Sequence, residues 1–258
     1  MNNMQHIIKN KQIKDFNMYM KHKIQQKNNN SNSPDQNGKK YLVIMACHSN
    51  SHHKFETIRN NLRFFAFENC HKIVINSQNT GYTDKLQEIC NRHLNAKYVE
   101  VPNSAYIDFG KWTHVLSNVV NYNDYDYIVL TNDSYIIHSS INHFLNLAVK
   151  HNVELYGYND STQVKYHYQS YLFILRKDAV NKFIARVTAP GPIIREANDI
   201  ILNFEVHMTD WFSTHKSFLK IGHFELNKGQ NIFFTNDSLY LPLKKSGLLP
   251  FTKIKRIK

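Results

Sequence analysis

Glycine is scarce, with eight residues in a chain of 258. No Gly-x-Gly-x-x-Gly follows the first apolar run, and no Walker-type loop occurs anywhere. Both common backbone cradles for nucleotide phosphates, the dinucleotide fingerprint and the P-loop, are thereby excluded. Cysteine is equally sparse. Cys47, Cys70 and Cys90 are odd in number and far apart, which fits buried thiols in a reducing, cytoplasmic setting rather than a disulfide framework. No Cys-x-x-Cys pair is present, and the adjacent His52 and His53 point in different directions on a helix or strand. No apolar run approaches the ~18 residues of a membrane span. The N-terminus is polar, so no secretory leader is expected in it.

Basic charge is plentiful. Thirty-two Lys and Arg oppose twenty Asp and Glu, for a net charge of +12. Much of that excess lies in the first 40 residues and in the terminal KIKRIK. A clustered nucleic-acid motif is missing, so no specific nucleic acid is expected. The basic ends suit phosphate-bearing ligands and peripheral contact with an anionic membrane. Hydrophobic residues make up 42% and aromatics 13%, enough to build one large core. The stretch KNNNSNSPDQNGKK is nearly devoid of apolar side chains. Before it, Ile7, Ile8, Ile13, Phe16, Met20 and Ile24 roughly follow helical spacing, as one short amphipathic helix or as a tail that orders only on a partner. Residues 1–40 are therefore set apart as a flexible basic and polar tail dispensable for folding, with the compact domain at 41–258.

Within that domain the pattern alternates. YLVIMAC, KIVINSQ, KYVEVP and YDYIVL read as strands. Phe55, Ile58, Leu62 and Phe65 fall on one helical face between the first two, Leu86, Ile89 and Cys90 on another, and Trp112, Val115, Leu116 and Val119 on a third. Strand alternating with helix predicts an α/β domain with a mostly parallel, Rossmann-like sheet flanked by helices. Further on, VELYGYND reads as a strand into a turn that carries Asp160, Ser170 to Leu175 as a strand, and Ile200 to Leu219 as a helix.

The most informative segment is YDYIVLTNDSYII. A buried strand ends in Thr131-Asn132-Asp133-Ser134, which presents Asp133 at the edge of the sheet where α/β proteins bind ligands. Asp133 is a candidate ligand for Mn²⁺ or Mg²⁺ bridging to a diphosphate, because hard cations select oxygen donors. It also suits a hydrogen bond to a sugar or ribose hydroxyl, or an Asx-turn. Asp108 stands at a strand-to-helix junction, where it either contacts a nucleotide or caps the helix carrying Trp112. Lys111 is either a cation for the diphosphate or a solvated helix lysine. His167, Gln169 and Tyr171 alternate along one predicted strand face. That row suits paired hydrogen bonds to a sugar, or a satisfied buried polar row.

Four stretches in order resemble the rhamnan-synthesis protein F family, a GT-A-type glycosyltransferase group. AYIDFGKWTHVL is similar to its Asn-x-Gly-Tyr-Asp-Phe-Gly-x-Trp pattern through Asp108, Phe109, Gly110 and Trp112. LTNDS matches the Asn-Asp-Ser after its central strand, and YHYQSYLFIL its His-x-Gln-Ser-Tyr-Phe run. NFEVHMTDWF is similar to the start of an acidic helix, with Glu205 at the acid position. In this chain Ile107 replaces an aromatic, and the metal motif Asp-x-Asp reads Thr131-Asn132-Asp133, keeping one carboxylate. The resemblance implies a GT-A-like single domain that moves a sugar, such as rhamnose or another deoxysugar, from a nucleotide-sugar donor to a glycan or lipid-linked glycan. Taken with the residue readings above, Asp108, Lys111, Asn132 and Asp133 are the candidates for the donor and His167, Gln169 and Tyr171 for the acceptor or sugar. Glu205 falls at the general base of an inverting reaction, with Asp160 its rival. A non-catalytic glycan- or nucleotide-binding module on the same fold, and a basic nucleic-acid binder, are the other two readings.

Overall fold

The computed structural model describes residues 2–29, 38–67, 69–102, 107–191, 194, 197–224 and 237–253. Four strands come from the predicted apolar runs: β1 (Tyr41–Cys47), β2 (Cys70–Ser77), β3 (Ala96–Val101) and β4 (Tyr127–Asn132). Every residue of β1 and of β4 is buried. That burial is why both read as continuous apolar runs, since a central parallel strand is covered on both faces. Helices α2 (His52–Phe64), α3 (Thr83–His93) and α4 (Ile107–Asn118) make the crossovers. At the start of α2, Ser51 Oγ accepts the Lys54 backbone N–H at 3.3 Å, satisfying one otherwise unpaired donor of the first turn.

The second half adds β5 (Tyr135–Ile137), α5 (Asn142–His151), β6 (Leu155–Ser161), β7 (His167–Tyr168), β8 (Leu172–Arg176) and α6 (Val180–Thr188). Beyond these lie α7 (Ala197–Ile200), β9 (His215–Leu219), α8 (Asp237–Lys245) and β10 (Phe251–Lys253). The main sheet has the order β3-β2-β1-β4-β8-β6-β7, with β9 paired to β6. The first four strands are parallel, and β8 runs antiparallel to both β4 and β6. Successive side chains of the central strands divide between two cores. Val43, Met45, Val129 and Ile174 face one side, and Leu42, Ile44, Leu130 and Phe173 face the other. Register sets up the site. Ala46 lies opposite Asn132, and Thr131 lies opposite Leu172. The loops after β1 and β4 and the turn before β8 therefore meet at one edge.

Several expectations are corrected. Residues 2–29 form a helix, α1 (Asn2–Asn29), in keeping with the helical spacing of Ile13, Phe16, Met20 and Ile24 and longer than one short helix. Phe16 is fully buried and meets Phe224 edge-on at 5.2 Å. The Tyr19 hydroxyl accepts the Lys220 backbone N–H at 2.8 Å, and Lys23 Nζ donates to the Phe218 carbonyl at 2.9 Å. The partner it docks on belongs to this same chain: Phe16 and Met20 are buried, and Tyr19 and Ile24 pack against the core. The segment 30–37 lies outside the described residues. The expected helix over 200–219 is three short pieces and a strand: the end of α7, a π-helical turn Ile201–Glu205, a 3₁₀ turn Met208–Trp211, and β9. Glu205 thus ends a helical segment rather than starting one. Asp160 lies inside β6, not in a turn. The expected strand through Tyr171 is interrupted at Gln169–Tyr171, between β7 and β8. No helix among the described residues is long and apolar enough to cross a membrane.

Candidate functional site

A cleft of about 720 Å³ opens at the carboxyl ends of the parallel strands, the position at which open α/β sheets take ligands. Asp108 and Asn132 form one wall, and His167, Gln169, Ser170 and Glu205 form the other. Tyr171 and Lys253 also line it. Of the nine side chains named from sequence, Asp108, Asn132, His167, Gln169, Tyr171 and Glu205 come together here. Asp133, Lys111 and Asp160 do not line it.

Those three are occupied elsewhere. Lys111 is buried, and its ammonium donates to the Cys47 carbonyl at 2.6 Å, tying α4 to the end of β1. It is not a solvated lysine, and it does not reach the cleft. Asp160 accepts the backbone N–H groups of Ile221 and Gly222 at 2.6 and 2.8 Å. Burial raises its carboxyl above the usual carboxylate range, partly offset by those two bonds. The geometry is that of a residue fixing the turn after β9. Asp133 turns away from the cleft. Its Oδ1 takes the Lys54 ammonium at 2.6 Å, its Oδ2 the His48 backbone N–H at 2.8 Å, and its carbonyl a second Lys54 contact at 3.1 Å. A divalent cation there would compete with an ammonium for one oxygen, so Asp133 as placed does not suit Mn²⁺ or Mg²⁺. Among the described residues, no three His, Cys, Asp or Glu side chains converge as a metal site.

On the first wall, Asn132 Nδ2 donates to Asp108 Oδ2 at 2.8 Å, and Asn132 Oδ1 accepts the Ser134 N–H at 3.1 Å and its hydroxyl. Burial pushes the Asp108 carboxyl up to about 6, with repulsion from Asp133 adding and Lys111, Asn132 and Lys54 opposing. Trp112 supports this wall from beneath by donating its indole N–H to the Thr131 carbonyl at 3.1 Å. Beside it a buried polar knot holds the loop after β1. Asn76 Nδ2 donates to Ser49 Oγ and to Thr80 Oγ1, each at 2.9 Å, and Ser49 and Thr80 share a 2.8 Å hydroxyl contact.

On the second wall, Glu205 Oε2 accepts the Ser170 backbone N–H at 3.0 Å and also the Ser170 hydroxyl. Its Oε1 faces His167 Nε2 at 3.7 Å. His167 Nδ1 lies 2.8 Å from the Lys165 carbonyl, a contact that requires a proton on Nδ1. The outer rim is apolar. Ile107, Val164, Ile201 and Leu202 line the cleft and are each at least 40% exposed.

Sequence reasoning missed Ser170 and Lys253 as site residues. On a continuous strand Ser170 would face away from His167, Gln169 and Tyr171; the break between β7 and β8 brings it into the cleft. Lys253 sits among terminal lysines that look like a solvated basic tail. In fact β10 pairs antiparallel with β5, setting Lys253 opposite Tyr135.

No protein-family model matches the chain. Over 122 residues it is 32% identical to the virulence protein VirA of Vibrio anguillarum, a stretch covering 45% of this chain and 38% of that protein. The chain thus matches well under two thirds of that curated relative. Among solved structures it resembles the glycosyltransferase GlyE of Streptococcus pneumoniae TIGR4, at 11% identity and TM-score 0.52, over 84% of this chain and 54% of that one. A lower likeness, TM-score 0.48 at 11% identity, is to S. aureus TarS over 69% of this chain. The chain is a mixed α/β domain with a mostly parallel central sheet flanked by helices, the GT-A-like architecture of GlyE.

Proposed function

We propose that this chain is a glycosyltransferase, moving a sugar from a nucleotide-sugar donor to a hydroxyl of a glycan or lipid-linked glycan with inversion. One observation carries the reading. Glu205 lines a cleft beyond the carboxyl ends of the parallel strands, held on one oxygen by Ser170 and leaving the other toward His167. A carboxylate so oriented can accept the acceptor's proton as its oxygen attacks the anomeric carbon. Asp108 and Asn132 on the facing wall offer an acceptor and an amide to donor hydroxyls. Gln169, Tyr171 and His167 suit the sugar or acceptor. The resemblance to the rhamnan-synthesis protein F family favours a deoxysugar donor such as dTDP-rhamnose.

The test is a panel of nucleotide sugars screened for thermal stabilisation and then for transfer. A donor at 100 times its Kd adds about 2.7 kcal/mol, which raises the melting temperature by roughly 5–10 °C at about 2–4 °C per kcal/mol. Stabilisation without turnover on any glycan acceptor would favour a binding module. No stabilisation by any member of the panel would refute the reading.

A further inference from the structure

Three lysines gather near the end of β4, and they do different work. Lys54 is committed to Asp133, and Lys111 to the Cys47 carbonyl. Lys253 lines the cleft. Its ammonium donates to Ser134 Oγ at 3.0 Å and lies 4.0 Å above the centre of the Tyr171 ring. Ser134 is in turn bound to Asn132, which holds Asp108. Among the described residues lining the cleft, Lys253 is the one permanent cation. The carboxylate just after β4 that would hold a metal, Asp133, already has an ammonium on one oxygen and a backbone N–H on the other.

We propose that Lys253 binds the diphosphate of the donor, and that donor binding and transfer need no divalent cation. The inference rests on the transferase reading above. During transfer the bond from the anomeric carbon to the diphosphate oxygen breaks, and that oxygen leaves with the electron pair. The acceptor oxygen forms the new bond to the anomeric carbon, and its proton passes to Glu205. Negative charge grows on the leaving diphosphate, and a cation already in place stabilises it without reorganisation. Lys253 is consumed in no step. The aromatic face of Tyr171 and the hydroxyl of Ser134 set the height and direction of its ammonium. The rigid pairing of β10 with β5 sets its position along the cleft.

The test uses the full chain titrated with inorganic pyrophosphate, UDP and dTDP, in EDTA and again with Mn²⁺. Wild type is expected to bind a nucleoside diphosphate in EDTA, with Mn²⁺ changing Kd by less than about twofold. Lys253→Met is expected to weaken binding about tenfold or more, as loss of a charge-assisted contact does. Lys253→Arg should stay within about threefold. If Lys253→Met melts early, Lys253→Gln, which keeps a donor for Ser134, carries the same expectation. Binding that appears only with Mn²⁺, or a folded Lys253→Met that binds like wild type, would overturn the proposal while leaving the transferase reading in place. Failure to bind any nucleoside diphosphate under either condition would overturn both.

Discussion

Replacing Glu205 by Gln separates its chemistry from its packing. In the native site, Oε2 accepts two bonds from Ser170, and Oε1 faces His167 Nε2. A glutamine has the same size, so its carbonyl can take the Ser170 side and leave its amide toward His167. The variant therefore keeps the geometry of both neighbours and loses only basicity. General base catalysis contributes about 10²–10⁴ in rate, which at about 1.4 kcal/mol per decade is roughly 3–5 kcal/mol of transition-state stabilisation. Glu205→Gln should thus lower kcat by about 10² or more, leave donor Kd unchanged, and melt close to wild type. Glu205→Ala is a useful contrast. It strands the Ser170 N–H and should cost about 1–3 kcal/mol of stability besides. The measurements are steady-state transfer, donor titration and thermal melting, with the anomeric configuration of the product read by NMR. Normal turnover by a folded Glu205→Gln would refute the assignment. So would a product that keeps the donor's anomeric configuration, because retention requires no such base.

Phe16→Ala removes the buried anchor of α1 and should destabilise the domain by up to about 3–5 kcal/mol, seen in urea unfolding; a change under about 1 kcal/mol would mean that the helix contributes little. Lys54→Met strands the Asp133 carboxylate. The loss should fall at the lower end of the roughly 3–5 kcal/mol seen for broken buried pairs, because the Lys54 side chain stays 26% exposed; wild-type stability in Lys54→Met would show the pair to be incidental. Asp108→Asn tests a pH effect. A folded carboxyl raised to about 6 gives wild type its full relative stability below the unfolded value and loses it as pH rises through about 6, so Asp108→Asn should gain on wild type from pH 4 to about 7 and then run parallel. A flat difference in melting temperature across that range would refute it.

Much of the fold was legible because burial imposes period. The continuous runs of β1 and β4 and the spacing of Phe55, Ile58 and Leu62 translate directly into covered strands and a packed helix face. The failures share one cause, which is that local pattern does not carry long-range pairing. Ile200 to Leu219 has enough apolar residues for a helix. Residues 215–219 instead pair in parallel with β6, where Leu219 lies opposite Asn159 and Phe218 and Leu219 reach the core. The docking of α1 depends on Phe218, Lys220 and Phe224, some two hundred residues away. Lys253 is likewise placed only by the partner strand that β10 finds. His167, Gln169 and Tyr171 line one cleft, brought there by a turn rather than by strand alternation.

The LTNDS segment shows how one rule separates two neighbouring residues. Consecutive side chains at the end of an extended segment point to opposite sides. Asn132 and Ser134, two apart, both face the cleft, while Asp133 between them points toward α2 and the loop after β1. If Asp133 met the donor, Asn132 and Ser134 would have to leave it, and with them the contacts that hold Asp108 and Lys253. The carboxylate most conspicuous in the sequence therefore serves the frame, bracing the loop at His48 and helix α2 against β4. The uncharged residues on either side of it carry the wall that a donor would touch. A site arranged in this way gives up one carboxylate in the cleft. That loss lowers the repulsion a diphosphate would meet there, and a single ammonium at Lys253 then has less negative charge to offset.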